Sequence, residues 1–131
     1  MLNWTEYGHE LLARVGELAK LSPDTLKGYQ ALLGAGGRSG KFDAKTRELV
    51  ALACAVTLRC DGCITVHTKA AIAHGATRDE VAEALGVAIA LGAGATLVYS
   101  ARTLDAYAAH SAAGRGQQAV RAAGDAAAAA G

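Results

Sequence analysis

The sequence predicts an all-α single domain of about six helices, on three observations. Apolar residues recur at three- and four-residue spacing along most of the chain, and no stretch alternates as a half-buried strand does. Hydrophobic residues make up 52% of the 131 residues and aromatic ones only 5%, so the core must be built from Ala, Leu, Val and Ile. Such residues suit close helix packing, and the abundance of Ala favours helix. Capping and breaking residues then divide the periodic stretches at short intervals.

Trp4, Tyr7, Leu11, Leu12, Val15, Leu18 and Leu21 mark a first amphipathic helix. Ser22 followed by Pro23 reads as an N-cap with proline in the first turn, opening a second helix with Leu26, Tyr29, Leu32 and Leu33 on one side. "GAGGRSG", residues 34–40, is the clearest expected linker. Asp43 caps a third helix whose expected apolar face includes Leu49, Val50, Ala53, Val56 and Thr57. The chain breaks near Asp61-Gly62, and a fourth helix runs from about Cys60 or Asp61 to His74, stopped by Gly75. Thr77 and Glu80 form a capping box for a fifth helix reaching about Leu91. "GAG", residues 92–94, permits a turn or kink before a last helix that ends near His110. Residues 1–112 are expected to form the domain. Residues 113–131, rich in Ala and Gly with Val120 as their one large apolar residue, form a tail with no assigned role.

A formal net charge of +1 with dispersed Lys and Arg argues against a nucleic-acid partner. The first twenty residues carry charges within their apolar period and have no cleavage-site pattern, so a signal peptide is not expected. A cytoplasmic setting follows, in which thiols are kept reduced. Three cysteines cannot make a disulfide framework. Residues 84–101 carry no charge and approach the length of a membrane span, yet they contain three Gly together with Thr96, Tyr99 and Ser100. A buried helix pair or a subunit interface is expected there, in a soluble protein without a membrane partner.

The chemistry is concentrated in "RCDGCITVH", residues 59–67. On a helix opened by Cys60, steps of three and four put Cys60, Cys63 and His67 on one face. A helix N-terminus favours the thiolate, which attacks peroxides and disulfides, and a second cysteine resolves the oxidised first one. His67 can hold or shuttle the proton. Glu48 lies roughly 15 Å back along the third helix and His67 roughly 10 Å down the fourth, so antiparallel pairing brings them within about one turn. A carboxylate beside an imidazole is a suitable proton relay for a thiol.

Other readings of these residues stay open. A zinc site would draw on Cys60, Cys63, His67 and His74, but one continuous helix cannot surround a metal, so no metal or other cofactor is expected. Cys60 and Cys63 as inert core residues is a further alternative, and Cys54 reads as a core cysteine. Taken alone, Glu48 is as readily a solvated helix residue. His74 suits a helix C-terminus, His9 and His110 read as surface or packing residues, and Lys69, Arg59 and Arg102 read as solvated, although Arg59 adjoins Cys60 and could help hold a thiolate.

Residues 45–85, "KTRELVALACAVTLRCDGCITVHTKAAIAHGATRDEVAEAL", resemble the carboxymuconolactone decarboxylase superfamily, in particular its alkylhydroperoxidase D-like branch. The likeness rests on Glu48, the pair Cys60 and Cys63, and His67 at their spacings, with "HTKAAIAHGAT" and "DEVAEAL" following. It implies an all-α fold with the cysteine pair at the N-terminus of a core helix, assembled as a homo-oligomer into trimers or hexamers. It also implies a thiol peroxidase or disulfide reductase. In that pattern Cys63 attacks an organic hydroperoxide and becomes a sulfenic acid. Cys60 gives the proton to the leaving alcohol and closes the disulfide, while Glu48 and His67 form the proton relay. The reductant implied is a dithiol, such as a dihydrolipoyl protein. Gly62 stands where the peroxidases of this branch carry a histidine. The alternatives are a decarboxylase acting on a lactone acid, a branch that generally lacks the cysteine pair, and a non-catalytic oligomeric module, with or without zinc.

Overall fold

The computed structural model describes residues 1–129, all of whose regular structure is helical. Five helices follow in order: α1 (Trp4–Leu21), α2 (Pro23–Ser39), α3 (Ala44–Thr57), α4 (Asp61–Ala73) and α5 (Arg78–Ala129). The start signals of α3 and α5 act as read from the sequence. Asp43 accepts the backbone N–H of Thr46 at 2.7 Å. Thr77 and Glu80 close a reciprocal box, with Thr77 N–H donating to Glu80 at 2.8 Å and Glu80 N–H to Thr77 at 3.2 Å. Ser22 precedes Pro23 at the start of α2, but its hydroxyl pairs with that of Thr25 at 2.7 Å instead of capping the backbone. α4 ends at Ala73, followed by Gly75 at φ 79°.

Two expected breaks are absent. Residues 34–39 of the expected linker belong to α2, which stops only at Gly40, in the left-handed conformation at φ 64°. Each helical glycine costs about 1 kcal/mol relative to alanine, which weakens a helix already propagating without ending it. Arg38 and Ser39 also donate to the carbonyls of Ala31 and Gly36. Likewise Gly92 and Gly94 lie inside α5, so the expected fifth and sixth helices are one. The expected tail continues α5 through Ala129, and its last two residues lie outside the described residues.

Two compact units are distinguished, Met1–Ala90 and Leu91–Gly131. In the first, α4 packs against α3 and α1, and α1 packs against α2. Its fully buried residues are Leu52 and Ala55 of α3 and Ala71 of α4. The inner stripe of α3 is therefore Glu48, Leu52 and Ala55, at helical spacing. Val50 and Thr57, expected on the apolar face, are exposed on a neighbouring one. Small residues on all sides of α3 make its faces nearly equal in hydrophobicity, so the partner helix decides which is covered. Lys45 at the start of α3 is tied to Glu80 at the start of α5 at 2.6 Å.

In the second unit α5 is apolar and exposed, with Leu97, Val98, Tyr99, Leu104 and Tyr107 open to solvent. Hydroxyls of Ser100 and Thr103 donate back to the carbonyls of Thr96 and Tyr99, which satisfies them within the helix. Among the described residues, no helix pair buries residues 84–101, because the turn that would fold them back does not form. By length and composition alone, the segment Arg78–Gln118 is apolar enough to cross a membrane.

Candidate active site

The turn joining α3 to α4 sets the site. Arg59 N–H donates to Val56 carbonyl at 3.2 Å and Cys60 N–H to Ala55 carbonyl at 3.0 Å, the paired bonds of a Schellman ending. Such an ending needs a left-handed residue, usually glycine, and here Arg59 takes that place at φ 54°. The next residue, Cys60, is already the N-cap of α4, and its Sγ accepts the N–H of Cys63 at 3.1 Å. One residue thus closes one helix and opens the next, which holds the backbone of Cys60 from both sides.

Cys60 and Cys63 are joined in a disulfide with their Cα atoms 5.2 Å apart, within the ordinary span of such a bridge. One turn beyond Cys63, Nδ1 of His67 meets Oε2 of Glu48 at 2.7 Å. Both side chains are about four-fifths covered, His67 at 22% and Glu48 at 20% exposed. An ionised carboxylate only accepts, so Nδ1 carries the hydrogen and Nε2 is the nitrogen left to take or give a proton. The pair forms because Glu48 lies on the inner stripe of α3 with Leu52 and Ala55, opposite the row of Cys63, His67 and Ala71 on α4. The separation is a direct hydrogen bond, closer than the single turn that helix lengths alone allow.

Gly62 fits α1 against this turn. A Cβ built there would lie 2.8 Å from Cδ2 of Leu11, so α1 rests on the cysteine turn where a side chain would otherwise stand. Thr65 donates to the Trp4 carbonyl at 3.1 Å, and Gly8 faces the same threonine, which fixes α1 along α4. Leu11 has no polar chemistry and only its apolar spacing appears in the sequence, so its contact with the motif had no local signal.

The remaining candidates stand apart. Cys54 is a free, exposed thiol rather than a core residue, since α3 turns Leu52 and Ala55 inward instead. His74 is the exposed C-cap of α4, and His9, Arg59, Lys69 and His110 are exposed. Arg102 lies over the ring of Tyr99, 4.9 Å from its centre. Among the described residues, no cluster of three or more His, Cys, Asp or Glu is placed to hold a metal.

The chain has relatives. Residues 23–106 match the carboxymuconolactone decarboxylase family. An uncharacterized protein from Haemophilus influenzae is 48% identical over 105 residues, covering 80% of this chain and 93% of its own. Another from Cupriavidus necator is 34% identical over 95 residues, covering 72% of this chain and 84% of its own. The crystal structure of apo-lpg0406, a carboxymuconolactone decarboxylase family protein from Legionella pneumophila, aligns with a TM-score of 0.65 at 34% identity, over 75% of this chain and 88% of that one. The match in sequence spans the helices that carry Glu48, Cys60, Cys63 and His67, the match in fold agrees with it, and the chain belongs to the carboxymuconolactone decarboxylase family.

Proposed function

We propose that this member of the family is a thiol oxidoreductase that reduces organic hydroperoxides through Cys60 and Cys63. The observation that carries the reading is the hydrogen-bonded Glu48–His67 pair one helical turn from a bridged cysteine pair at the start of α4. In the reduced protein, Nε2 of His67 takes the Cys63 proton, with Glu48 stabilising the imidazolium. The Cys63 thiolate attacks the outer peroxide oxygen, the O–O bond breaks, and Cys63 becomes a sulfenic acid. Cys60 protonates the departing alkoxide. Its thiolate then attacks the Cys63 sulfur, and hydroxide leaves as water with the proton from His67. Peroxide is reduced by two electrons and the thiol pair is oxidised by two.

An external dithiol returns the pair to its reduced state by exchange, attacking the disulfide and leaving as a disulfide itself. A dihydrolipoyl group on a partner protein is the donor we favour, on family resemblance. The exposed apolar length of α5 suits assembly of several copies in a soluble, cytoplasmic protein, as trimers or hexamers.

Intact mass of the reduced protein, before and after one equivalent of an organic hydroperoxide, tests the reading. Loss of two hydrogens mapped to Cys60 and Cys63, reversed by a dithiol, is expected. Cys60→Ser should stop at a trappable sulfenic acid on Cys63, while Cys63→Ser should not turn over. Thiols that ignore peroxide, or a Cys63→Ser variant that keeps activity, would refute it. A lactone-acid decarboxylation that survives replacement of both cysteines would point to the lyase side of the family.

A further inference from the structure

Helix α1 forms two hollows, and their linings differ in charge. One is lined by Tyr7, Glu10, Leu11, Ala13, Arg14 and Glu17, mixing acids with a base. The other, between α1 and α4, has a volume of about 550 Å³ and no acidic side chain in its lining. Its walls are apolar, with Trp4 and Leu12 from α1 and Ile64, Val66 and Ile72 from α4. Its ionisable members are Lys69 and His9, both exposed. Of the acids that flank it along α1, Glu6 accepts from Asn3 at 3.1 Å and Glu10 lines the other hollow.

The volume lies within the roughly 300–1,000 Å³ of small-molecule sites, and such sites combine apolar walls with a few placed polar groups. Leu12 is 58% and Ile72 67% exposed, so a ligand laid between the helices removes much apolar surface from water. The groove has a floor as well as a rim. Thr65, in its lining, donates to the Trp4 carbonyl, and Gly8 faces that threonine. An alkyl chain fits the walls. A negative head group fits a rim that offers the Lys69 ammonium and the His9 imidazole and no carboxylate.

From this pairing of apolar walls with a rim of one sign, we infer that the groove between α1 and α4 binds a medium-chain aliphatic carboxylate, head group at Lys69 and His9. The row Ile64, Thr68, Ile72 lies one position round α4 from Cys63, His67 and Ala71, so the groove uses a neighbouring face of the same helix. Binding there is independent of redox chemistry at the cysteines.

Decanoate, well below its micellar range, is the probe, titrated by calorimetry into the full-length protein. One saturable site per chain is expected, with decanamide and decylamine binding more weakly. Lys69→Gln should weaken decanoate about fivefold, the size of one exposed charge pair, and leave decanamide unchanged. Ile72→Gln should weaken both by about tenfold or more, whereas Leu32→Gln, an exposed leucine outside the groove, should change neither. Circular dichroism melts establish that each variant is folded. Absence of saturable binding overturns the assignment, as does equal affinity for decanoate and decylamine. Sedimentation showing that Ile72→Gln dissociates an assembly, with no decanoate bound by the wild type, would give the groove to a second copy instead.

Discussion

Nδ1 of His67 and Oε2 of Glu48 are 2.7 Å apart although nineteen positions separate them, and the bond crosses from α4 to α3 beside the buried Leu52, Ala55 and Ala71. Glu48 thus occupies a core stripe as a charged residue, which it can do because an imidazole N–H satisfies it.

Removing either member should slow the thiols more than it unfolds the protein. Glu48→Gln and His67→Asn are expected to lower the rate of peroxide oxidation at neutral pH by on the order of 10²-fold, the lower end for loss of a positioned acid–base group. Stopped-flow oxidation of the reduced protein measures this, and rates equal to wild type in both variants would take the pair out of the chemistry.

A side chain at position 62 should push α1 off the cysteine turn. Gly62→Ala is expected to cost about 1–3 kcal/mol by overpacking against Leu11. Leu11→Ala removes the opposing group, so the double variant should recover much of that loss. Denaturant melts of the four proteins give the coupling energy. Simple additivity would mean that the two residues do not touch.

Arg59 holds a left-handed conformation at φ 54°. Glycine adopts it freely, so Arg59→Gly should leave the turn intact and stabilise the fold by up to about 1 kcal/mol, less the extra entropy of the unfolded chain. A fall in the unfolding midpoint would show that the Arg59 side chain contributes more than its backbone strain costs.

Three groups contribute to the pH response, the exposed Asp43 and the half-buried Lys45 and Glu80. The backbone N–H of Thr46 holds the Asp43 carboxyl below its ordinary 3.8. The hydrogen bond from Lys45, then the N–H of Thr77, holds Glu80 below its ordinary 4.5. The same bond to Glu80 raises Lys45 above 10.5. Lowered carboxyls stabilise the folded state above their ordinary values and lose that contribution as pH falls through the folded ones. The raised lysine stabilises below 10.5 and loses its share as pH climbs further. The melting temperature should therefore be level from about pH 5 to 10 as far as these groups act, and fall on the acid side. Glu80→Gln should flatten the acid limb, and high salt should shrink the difference because the groups are partly open to solvent. An acid limb identical in Glu80→Gln and wild type would assign it elsewhere.

The features legible in the sequence were those whose physics is local. Asp43, Thr77 and Glu80 cap their helices through bonds to residues three away, and the spacing of Cys63 and His67 puts them on one side of α4 by helical geometry, with Cys60 as the N-cap before them. The approach of Glu48 to His67 followed from the shortness of the turn between two helices of known length. Three features were not legible because they depend on contacts between elements or on cooperativity. The glycines of residues 34–39 and 92–94 read as breaks, yet a helix in progress tolerates them. The inward face of α3 depends on which small residues α4 covers, so Cys54 reads as a core residue although it is exposed. The seat of Leu11 on Gly62 joins residues far apart in sequence through nothing but shape.

The double duty of Cys60, last residue of one helix ending and first of the next, makes the chain intolerant of length change at this point. Inserting or deleting one residue just inside α4, between Cys60 and Cys63, turns everything that follows on α4 by about 100° relative to Cys60. Cys63, His67 and Ala71 would then swing together away from Glu48, Leu52 and Ala55. A change of residue type in the turn is absorbed locally, whereas a change of residue number removes the proton-transfer pair and the core in one step.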